Sequence, residues 1–252
     1  MNIQFFPTLG FFLLVTLGGY IVYFVVRVLI TGKLPKVNLN IKSIVNPYAF
    51  LKHKVLQIIH ADLLKRGQNN DAESQFELAW TYAKGLGVAE NHYEAHKWYL
   101  KSAENGNVDA AHNLAWCYAH AFGCNCNPQK AFYWYQEAAN KGSQLSYHAL
   151  GMCYQKGFGC KKNLEASFQW FMKGAEQNNA ECQFCIAWSY AKGLGVQRDY
   201  TKAFEWYTIA AHNNHPQAAY NLAWCYENAF GCVQDKEEAA KWYKIAERLK
   251  LQ

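Results

Sequence analysis

The sequence predicts an all-α protein: an α-solenoid of five 36-residue helix–turn–helix repeats, preceded by a transmembrane helix. Three observations predict this architecture. The pattern Ala-Trp-x-Tyr recurs at multiples of 36 residues, an Asn or Asp separates the two halves of every unit, and the N-terminal part contains a long uncharged apolar run. The predicted divisions are a transmembrane anchor (1–30), a basic linker (31–45), an amphipathic capping helix (46–67) and the repeat domain (68–252).

The N-terminal segment has no charged side chain over residues 5–26. As a helix, this run would be about 33 Å long, which matches the hydrocarbon core of a bilayer. No basic residue precedes the run and no small-residue cleavage site follows it, so the sequence favours a retained anchor over a cleaved signal peptide. Basic residues follow the run and none precedes it, and the positive-inside rule therefore predicts a cytoplasmic repeat domain.

The net charge of +6 is concentrated in one segment. Residues 27–66 have a net charge of +7, whereas residues 67–252 have a net charge of −1. A nearly neutral domain lacks the long-range positive field that phosphate binding exploits. The charge distribution therefore argues against nucleic acid as a partner.

Residues 46–67 are predicted to form an amphipathic helix. Asn46 offers an N-cap, Pro47 suits the first helical position, and apolar residues then recur at helical spacing until Gly67. The basic side of this helix could rest on anionic lipid, or the helix could cover the open end of the repeat domain. We favour the second interpretation, because helical arrays need a terminal cap.

A tyrosine position and a glycine position of the 36-residue unit are each filled identically in all five copies. Between its two halves, a third position always holds Asn or Asp, the preferred N-cap residues. One helix pair cannot bury its apolar face, so the five units are expected to stack around a continuous core. The tyrosines are Tyr82, Tyr118, Tyr154, Tyr190 and Tyr226; the glycines are Gly87, Gly123, Gly159, Gly195 and Gly231; the N-caps are Asn91, Asn127, Asn163, Asp199 and Asp235.

The unit resembles the Sel1-like repeat, a tetratricopeptide-like helical repeat with the approximate pattern A-x-x-L-G-x-x-Y-x-x-G-x-G-V, a cap, and K-A-x-x-W-Y-x-K-A-A. Residues 187–207 satisfy nearly every position. Ala replaces the first Gly of the pattern in four units, which leaves Gly151, and Ala121 and Ala229 replace the middle Gly. The resemblance implies a right-handed superhelix and a scaffold or adaptor that binds another protein. It implies no catalytic residue and no cofactor.

Six cysteines form three pairs at one spacing, seven residues apart. A turn at the intervening glycine would bring each pair within roughly 6 Å, so contact is expected. A cytoplasmic domain disfavours disulfides, whereas a periplasmic domain would permit them. We expect the pairs to touch and remain reduced, with disulfides as the alternative. The pairs are Cys117 with Cys124, Cys153 with Cys160, and Cys225 with Cys232.

Two further groups of residues have spacings that are typical of redox or metal sites. Cys182 and Cys185 have redox or zinc spacing, but they lie within a predicted helix and lack a second cysteine pair at zinc-finger spacing. His92 and His96 lie four residues apart, without a third ligand indicated by the sequence. The sequence therefore predicts no metal site and no enzyme activity.

Each unit has two large-residue positions that differ in their predicted role. The second holds Trp98 and its four equivalents, each followed by an aromatic residue, and we interpret it as core. The first, here called the Trp row, holds Trp80, Trp116, Met152, Trp188 and Trp224 and is expected to face a concave groove. Residues three before and four after share its helix face. The predicted partner-binding residues are Trp80, Lys84, Asn113, Trp116, His120, Lys156, Trp188, Lys192, Asn221 and Trp224.

Together, these observations predict a membrane-anchored interaction scaffold that binds a protein or peptide in the groove. The expected location is a bacterial inner membrane, crossed once, with a cytoplasmic repeat domain; a periplasmic domain is the alternative. Three other interpretations stay open. The Trp row could only fill gaps between repeats, the cysteines could support a thiol/disulfide or metal-dependent activity, or the chain could be a purely structural spacer.

Overall fold

The computed structural model describes residues 12–17, 20–25 and 47–250 of the 252-residue chain. The chain is divided into two compact units, Met1–Phe50 and Leu51–Gln252. The described residues of the first unit include two strands, and those of the second form a helical array.

In the first unit, β1 (Phe12–Leu17) pairs antiparallel with β2 (Tyr20–Val25). This arrangement corrects the prediction of a helix through residues 5–26. Both segments are rich in β-branched and aromatic residues, which favour strands, and the Gly18-Gly19 sequence between them has low helix propensity. The other residues of the predicted anchor, and the linker, lie outside the described residues. No helix within the described ranges combines the length and the hydropathy needed to cross a membrane.

The second unit begins within α1 (Pro47–Gln68), and five helix pairs follow. Each first helix packs on the second helix of its own repeat, which in turn packs on the first helix of the next. The first helices are α2 (Ala72–Lys84), α4 (Val108–His120), α6 (Gln144–Lys156), α8 (Ala180–Lys192) and α10 (Pro216–Asn228). The second helices are α3 (His92–Glu104), α5 (Pro128–Asn140), α7 (Leu164–Glu176), α9 (Tyr200–His212) and α11 (Lys236–Lys250).

Side-chain caps start the second helices where the sequence predicts them. The Asn91 side chain accepts a hydrogen bond from the Glu94 amide at 3.1 Å, and Asp199 accepts one from the Lys202 amide at 3.0 Å. These bonds satisfy an amide of the first turn that has no partner within the helix. The prediction of an Asn/Asp N-cap is confirmed, and the short-range cap explains why the helix begins at the same position in each repeat.

One glycine of each repeat lies against the backbone of the preceding second helix. A Cβ atom on Gly123 would overlap the carbonyl of His92, and one on Gly87 would overlap the carbonyl of Leu56. Both glycines also have positive φ, at 69° and 76°. The glycine position therefore serves two purposes, reversal of the chain and close approach between repeats.

Helix α1 occupies the place of a second helix in a repeat that would precede the first. Its His60 ring meets Tyr82 edge-on at 4.9 Å and 86°, as His96 meets Tyr118 at 5.1 Å and 85°. The two histidines are 36 residues apart, so they occupy the same repeat position. Helix α1 is thus a half repeat that covers the start of the array.

In the core of the array, each first helix contributes one large aliphatic residue and the small residue that follows it. Leu78, Leu114, Leu150, Ile186 and Leu222 are all fully buried. The small residue that follows each of them lets the paired helix approach closely. Gly151 occupies this position in the third repeat because a Cβ there would overlap the ring of Phe171, which is also fully buried.

Candidate functional site

The Trp row lies on the surface of the first helices. Trp80, Trp116, Trp188 and Trp224 are 37%, 42%, 41% and 41% exposed, and Met152 is half-buried. In each helix, the residue just before the Trp row is completely buried. The tryptophans therefore stand at the edge of the packed interior, with more than a third of each side chain accessible. Their exposure agrees with an outward-facing role better than with gap filling between repeats.

The second tryptophan position has the opposite character. Trp98 is 7% exposed, and the equivalent residues in the other repeats are half-buried. The aromatic residue that follows is buried in four repeats, as Tyr99, Tyr135, Phe171 and Tyr207. The prediction that this position belongs to the core is confirmed for Trp98 and holds in part for its equivalents.

Four positions after each residue of the Trp row, near the end of the same helix, stands a polar side chain that in three repeats lies against the tryptophan ring. The ammonium of Lys84 is 5.1 Å from the Trp80 ring centre, and that of Lys192 is 4.9 Å from the Trp188 ring centre. His120 stacks on Trp116 at 4.5 Å and 23°. The two lysine contacts place cations on one border of the Trp row, where cation–π attraction and the helix C-terminus both favour positive charge. Lys156 is exposed at the same position of the third repeat.

Two predicted amides reach the floor beneath the Trp row rather than the open surface. Asn113 forms a hydrogen bond with the side chain of Tyr99, and Asn221 forms the same bond with Tyr207. Burial raises the pKa of both phenols, and the asparagine bond partly opposes that increase. The tyrosines are neutral at physiological pH, so they provide a polar but uncharged floor.

Four of the predicted groove residues come together in one cleft between the fourth and fifth repeats. This cleft has a volume of about 340 Å³. A neighbouring cleft of about 440 Å³ shares Trp188 and Asn221 with it and extends towards Met152. The first cleft is lined by Trp188, Lys192, Tyr207, Asn221, Trp224 and Phe230, among others.

Phe230 and Tyr207 were not among the residues predicted from the sequence. Phe230 lies two residues after the end of α10, directly after the C-cap residue Ala229, and its ring meets Trp224 at 4.9 Å and 62°. Phe122 follows the end of α4 in the same way and contacts Trp116. The sequence signal that could have identified Phe230 is its place just before the glycine that all five repeats share. Helical periodicity alone does not show which way this residue faces, because it lies outside the helices.

The cysteine pairs approach each other as free thiols. The Cys124 thiol donates to the carbonyl of Cys117 at 3.6 Å, and the Cys160 thiol donates to the carbonyl of Cys153 at the same distance. All nine cysteines are free in this structure. Burial raises the pKa of Cys117 and Cys153 to about 12.

The chemical alternatives gain no support from the geometry. Burial raises the pKa of both Cys182 and Cys185 to about 12, whereas a nucleophilic cysteine needs a lowered pKa. His92 points its ring onto Phe122, with centres 3.9 Å apart, and His96 contacts Tyr118. In the part of the chain that the structure describes, no three His, Cys, Asp or Glu side chains are grouped to hold a metal.

Stacked helix pairs with an aromatic row on one face define an α-solenoid of the repeat-scaffold class. The Sel1 repeat model matches residues 72–107, 108–143, 144–179, 180–215 and 216–250, and the chain belongs to this family. The predicted resemblance is thereby confirmed. Sel1 repeat proteins are generally protein-interaction scaffolds.

Two solved structures support the family assignment. A Sel1 repeat protein from Oxalobacter formigenes is 30% identical, with 79% of this chain and 82% of that chain covered and a TM-score of 0.73. A protective antigen from uropathogenic Escherichia coli strains, which displays an SLR fold, is 29% identical at a TM-score of 0.73. That alignment covers 75% of this chain and 40% of the antigen. No match was found among curated protein sequences.

Proposed function

We propose that this chain is a scaffold whose Trp row binds a peptide segment or a helix of a partner protein. The observation that carries the proposal is the partial exposure of four tryptophans on equivalent helices, bordered by Lys84, His120 and Lys192. Tryptophan is the residue most enriched among interface hot spots, each typically contributing about 2 kcal/mol. A row of them offers several anchors to one extended ligand.

A double variant tests this role of the Trp row. We expect Trp116→Ala with Trp224→Ala to lose partner binding while thermal stability changes little, because both side chains are about 40% exposed. The matched control is Tyr133→Ala, which removes an aromatic side chain that is 53% exposed on a second helix. A collapse of the fold in the double variant, without selective loss of binding, would assign the tryptophans to the core.

Binding is measured by photo-cross-linking in the native cell, with a photoreactive residue at Met152 or, as a control, at Tyr133. We expect a specific cross-linked partner from position 152 only, identified by mass spectrometry, and its loss in the double variant. Equal products from both positions would contradict the proposal.

We also propose that the chain is attached to a bacterial inner membrane through the uncharged apolar run of residues 5–26, with the repeats in the cytoplasm; this attachment does not rest on the helix that β1 and β2 replace. The uncharged apolar run and the basic residues after it support this arrangement. Alkaline extraction should leave the full chain in the membrane fraction, and Val15→Lys with Val22→Lys should release it. A C-terminal reporter active only in the periplasm must stay silent; if it is active, the repeats are periplasmic.

A further inference from the structure

The first two repeats carry the same groove chemistry as the last two. Five groove positions have identical residues in both places, three repeats apart. The middle repeat breaks the pattern, with Met152 in the Trp row and Ala149 in place of the asparagine. The matching residues are Trp80 and Trp188, Lys84 and Lys192, Asn113 and Asn221, Trp116 and Trp224, and Phe122 and Phe230.

The rims of the two places have the same geometry. Lys84 lies 5.1 Å from the Trp80 ring centre, and Lys192 lies 4.9 Å from that of Trp188. The Trp–Phe pair that forms the opposite wall has an interplanar angle of 62° in both places, with ring centres 5.4 Å and 4.9 Å apart. The identical residues therefore also have similar arrangements, although His120 stacks on Trp116 and no such ring lies at the equivalent Asn228.

The floors match as well. Tyr99 and Tyr207 are each 4% exposed, and each receives a hydrogen bond from the asparagine of the following repeat. A phenylalanine of the preceding first helix lies 6.0 Å from each tyrosine ring, at 52° and 47°. Rim, wall and floor therefore correspond between the two places, and one lining position differs: Tyr220 lines the cleft between the fourth and fifth repeats, whereas His112 holds the equivalent position between the first and second.

The lining determines which ligand each cleft fits. Two Trp rings and one Phe ring form apolar walls, and Lys192 is the charged residue in the lining of the cleft between the fourth and fifth repeats. Among the described residues, no ion pair involves Lys84 or Lys192. Each cleft therefore offers an apolar slot beside an ammonium without a carboxylate, which complements an apolar side chain next to an acidic one.

We infer that the groove is bivalent: its two equivalent clefts each bind a peptide segment with a bulky apolar side chain next to a carboxylate. Two such segments bind per chain, and the inference rests on the proposed peptide-binding function. The apolar side chain lies between the tryptophans, and the carboxylate pairs with Lys84 in one cleft and with Lys192 in the other.

Calorimetric titration of the full-length protein tests the inference. The probe is the blocked tetrapeptide Glu-Leu-Phe-Glu, and the control is Lys-Leu-Phe-Lys. We expect two acidic peptides per chain, with affinities within about threefold of each other because the clefts are equivalent. Trp116→Ala or Trp224→Ala alone should leave one site each, and the basic peptide should bind at least about tenfold more weakly.

Two exposed charge reversals provide a test that does not depend on the tryptophans. Lys84→Glu and Lys192→Glu should each remove one acidic-peptide site without a change in melting temperature. Binding of a single peptide, or loss of binding from only one of the two substitutions, would overturn bivalence. Absence of acidic-peptide binding, or preference for the basic peptide, would overturn the ligand class. Either failure leaves the proposed function standing if Met152 still cross-links a partner.

Discussion

Gly123 lies so close to the carbonyl of His92 in the preceding helix that a Cβ atom would overlap the carbonyl oxygen. Gly142, at another turn, also has positive φ, but nothing lies within 4 Å of its Cβ position. Comparing Gly123 with Gly142 therefore separates two effects: the left-handed backbone conformation that both glycines share, and the lack of space for a side chain, which applies only to Gly123.

We expect Gly123→Ala to lower the free energy of unfolding by more than about 3 kcal/mol, because the repeats must separate to admit the methyl group. Gly142→Ala should lower it by only about 1 kcal/mol, the typical cost of a left-handed conformation for alanine. Denaturant unfolding of both variants measures the difference. Equal losses would show that the contact with His92 does not constrain the stacking.

Ala121 and Ala229 end their helices in the left-handed region, both with φ of 56°. The equivalent residue in the other three repeats is glycine, as at Gly85. Ala121→Gly should therefore raise the free energy of unfolding by about 1 kcal/mol. The reverse change, Gly85→Ala, should lower it by a similar amount. The idea fails if Ala121→Gly destabilises the protein in chemical denaturation.

His96 occupies the repeat position that holds Phe132, Phe168 and Phe204 in the next three repeats. Its ring is buried, and its Nε2 atom has no hydrogen-bond partner among the described residues. Burial, with a smaller contribution from Lys130, lowers the pKa of His96 below its usual 6.5. As pH falls through 6.5, the unfolded chain therefore binds a proton before the folded chain does, and stability is lost.

We expect His96→Phe to raise the free energy of unfolding by about 1–3 kcal/mol at neutral pH, because it removes a buried polar atom without a partner. The variant should also lose less stability between about pH 7.5 and 5.5 than the parent protein. Denaturant titrations at several pH values measure both effects. Phe168→His is the reciprocal control and should introduce the pH sensitivity that His96→Phe reduces.

Thiol reactivity distinguishes a scaffold from a thiol enzyme. Cys126 is exposed, whereas burial raises the pKa of Cys182 and Cys185 to about 12. Iodoacetamide at pH 8 should label Cys126 rapidly and label Cys182 and Cys185 only after unfolding, because the thiolate is the reactive species. Peptide mass spectrometry follows the labelling, and Cys126→Ser should remove the fast phase. Rapid modification of Cys182 in the folded protein would support a thiol activity.

The local features of this protein were predictable from the sequence. The 36-residue period set the number of repeats, and Asn91 and its equivalents marked the start of the second helices. Caps and helical periodicity depend on residues within a few positions of one another, so they can be read along the chain. The same reasoning was wrong for residues 12–17 and 20–25, which form strands, because an apolar run without polar markers suits a helix or strands equally well.

The sequence predicted that the Trp98 position is core and that the Trp80 position faces outward, but only the tertiary structure showed how far each side chain is covered and how the residues of the predicted groove combine. Trp98 is 7% exposed, whereas Trp80 is 37% exposed. Helical spacing places residues on a common face, but the neighbouring helices determine whether that face is covered. The pairing of Asn221 with Tyr207, and the position of Phe230 against Trp224, likewise join residues from different elements, and such contacts exist only once the repeats have stacked.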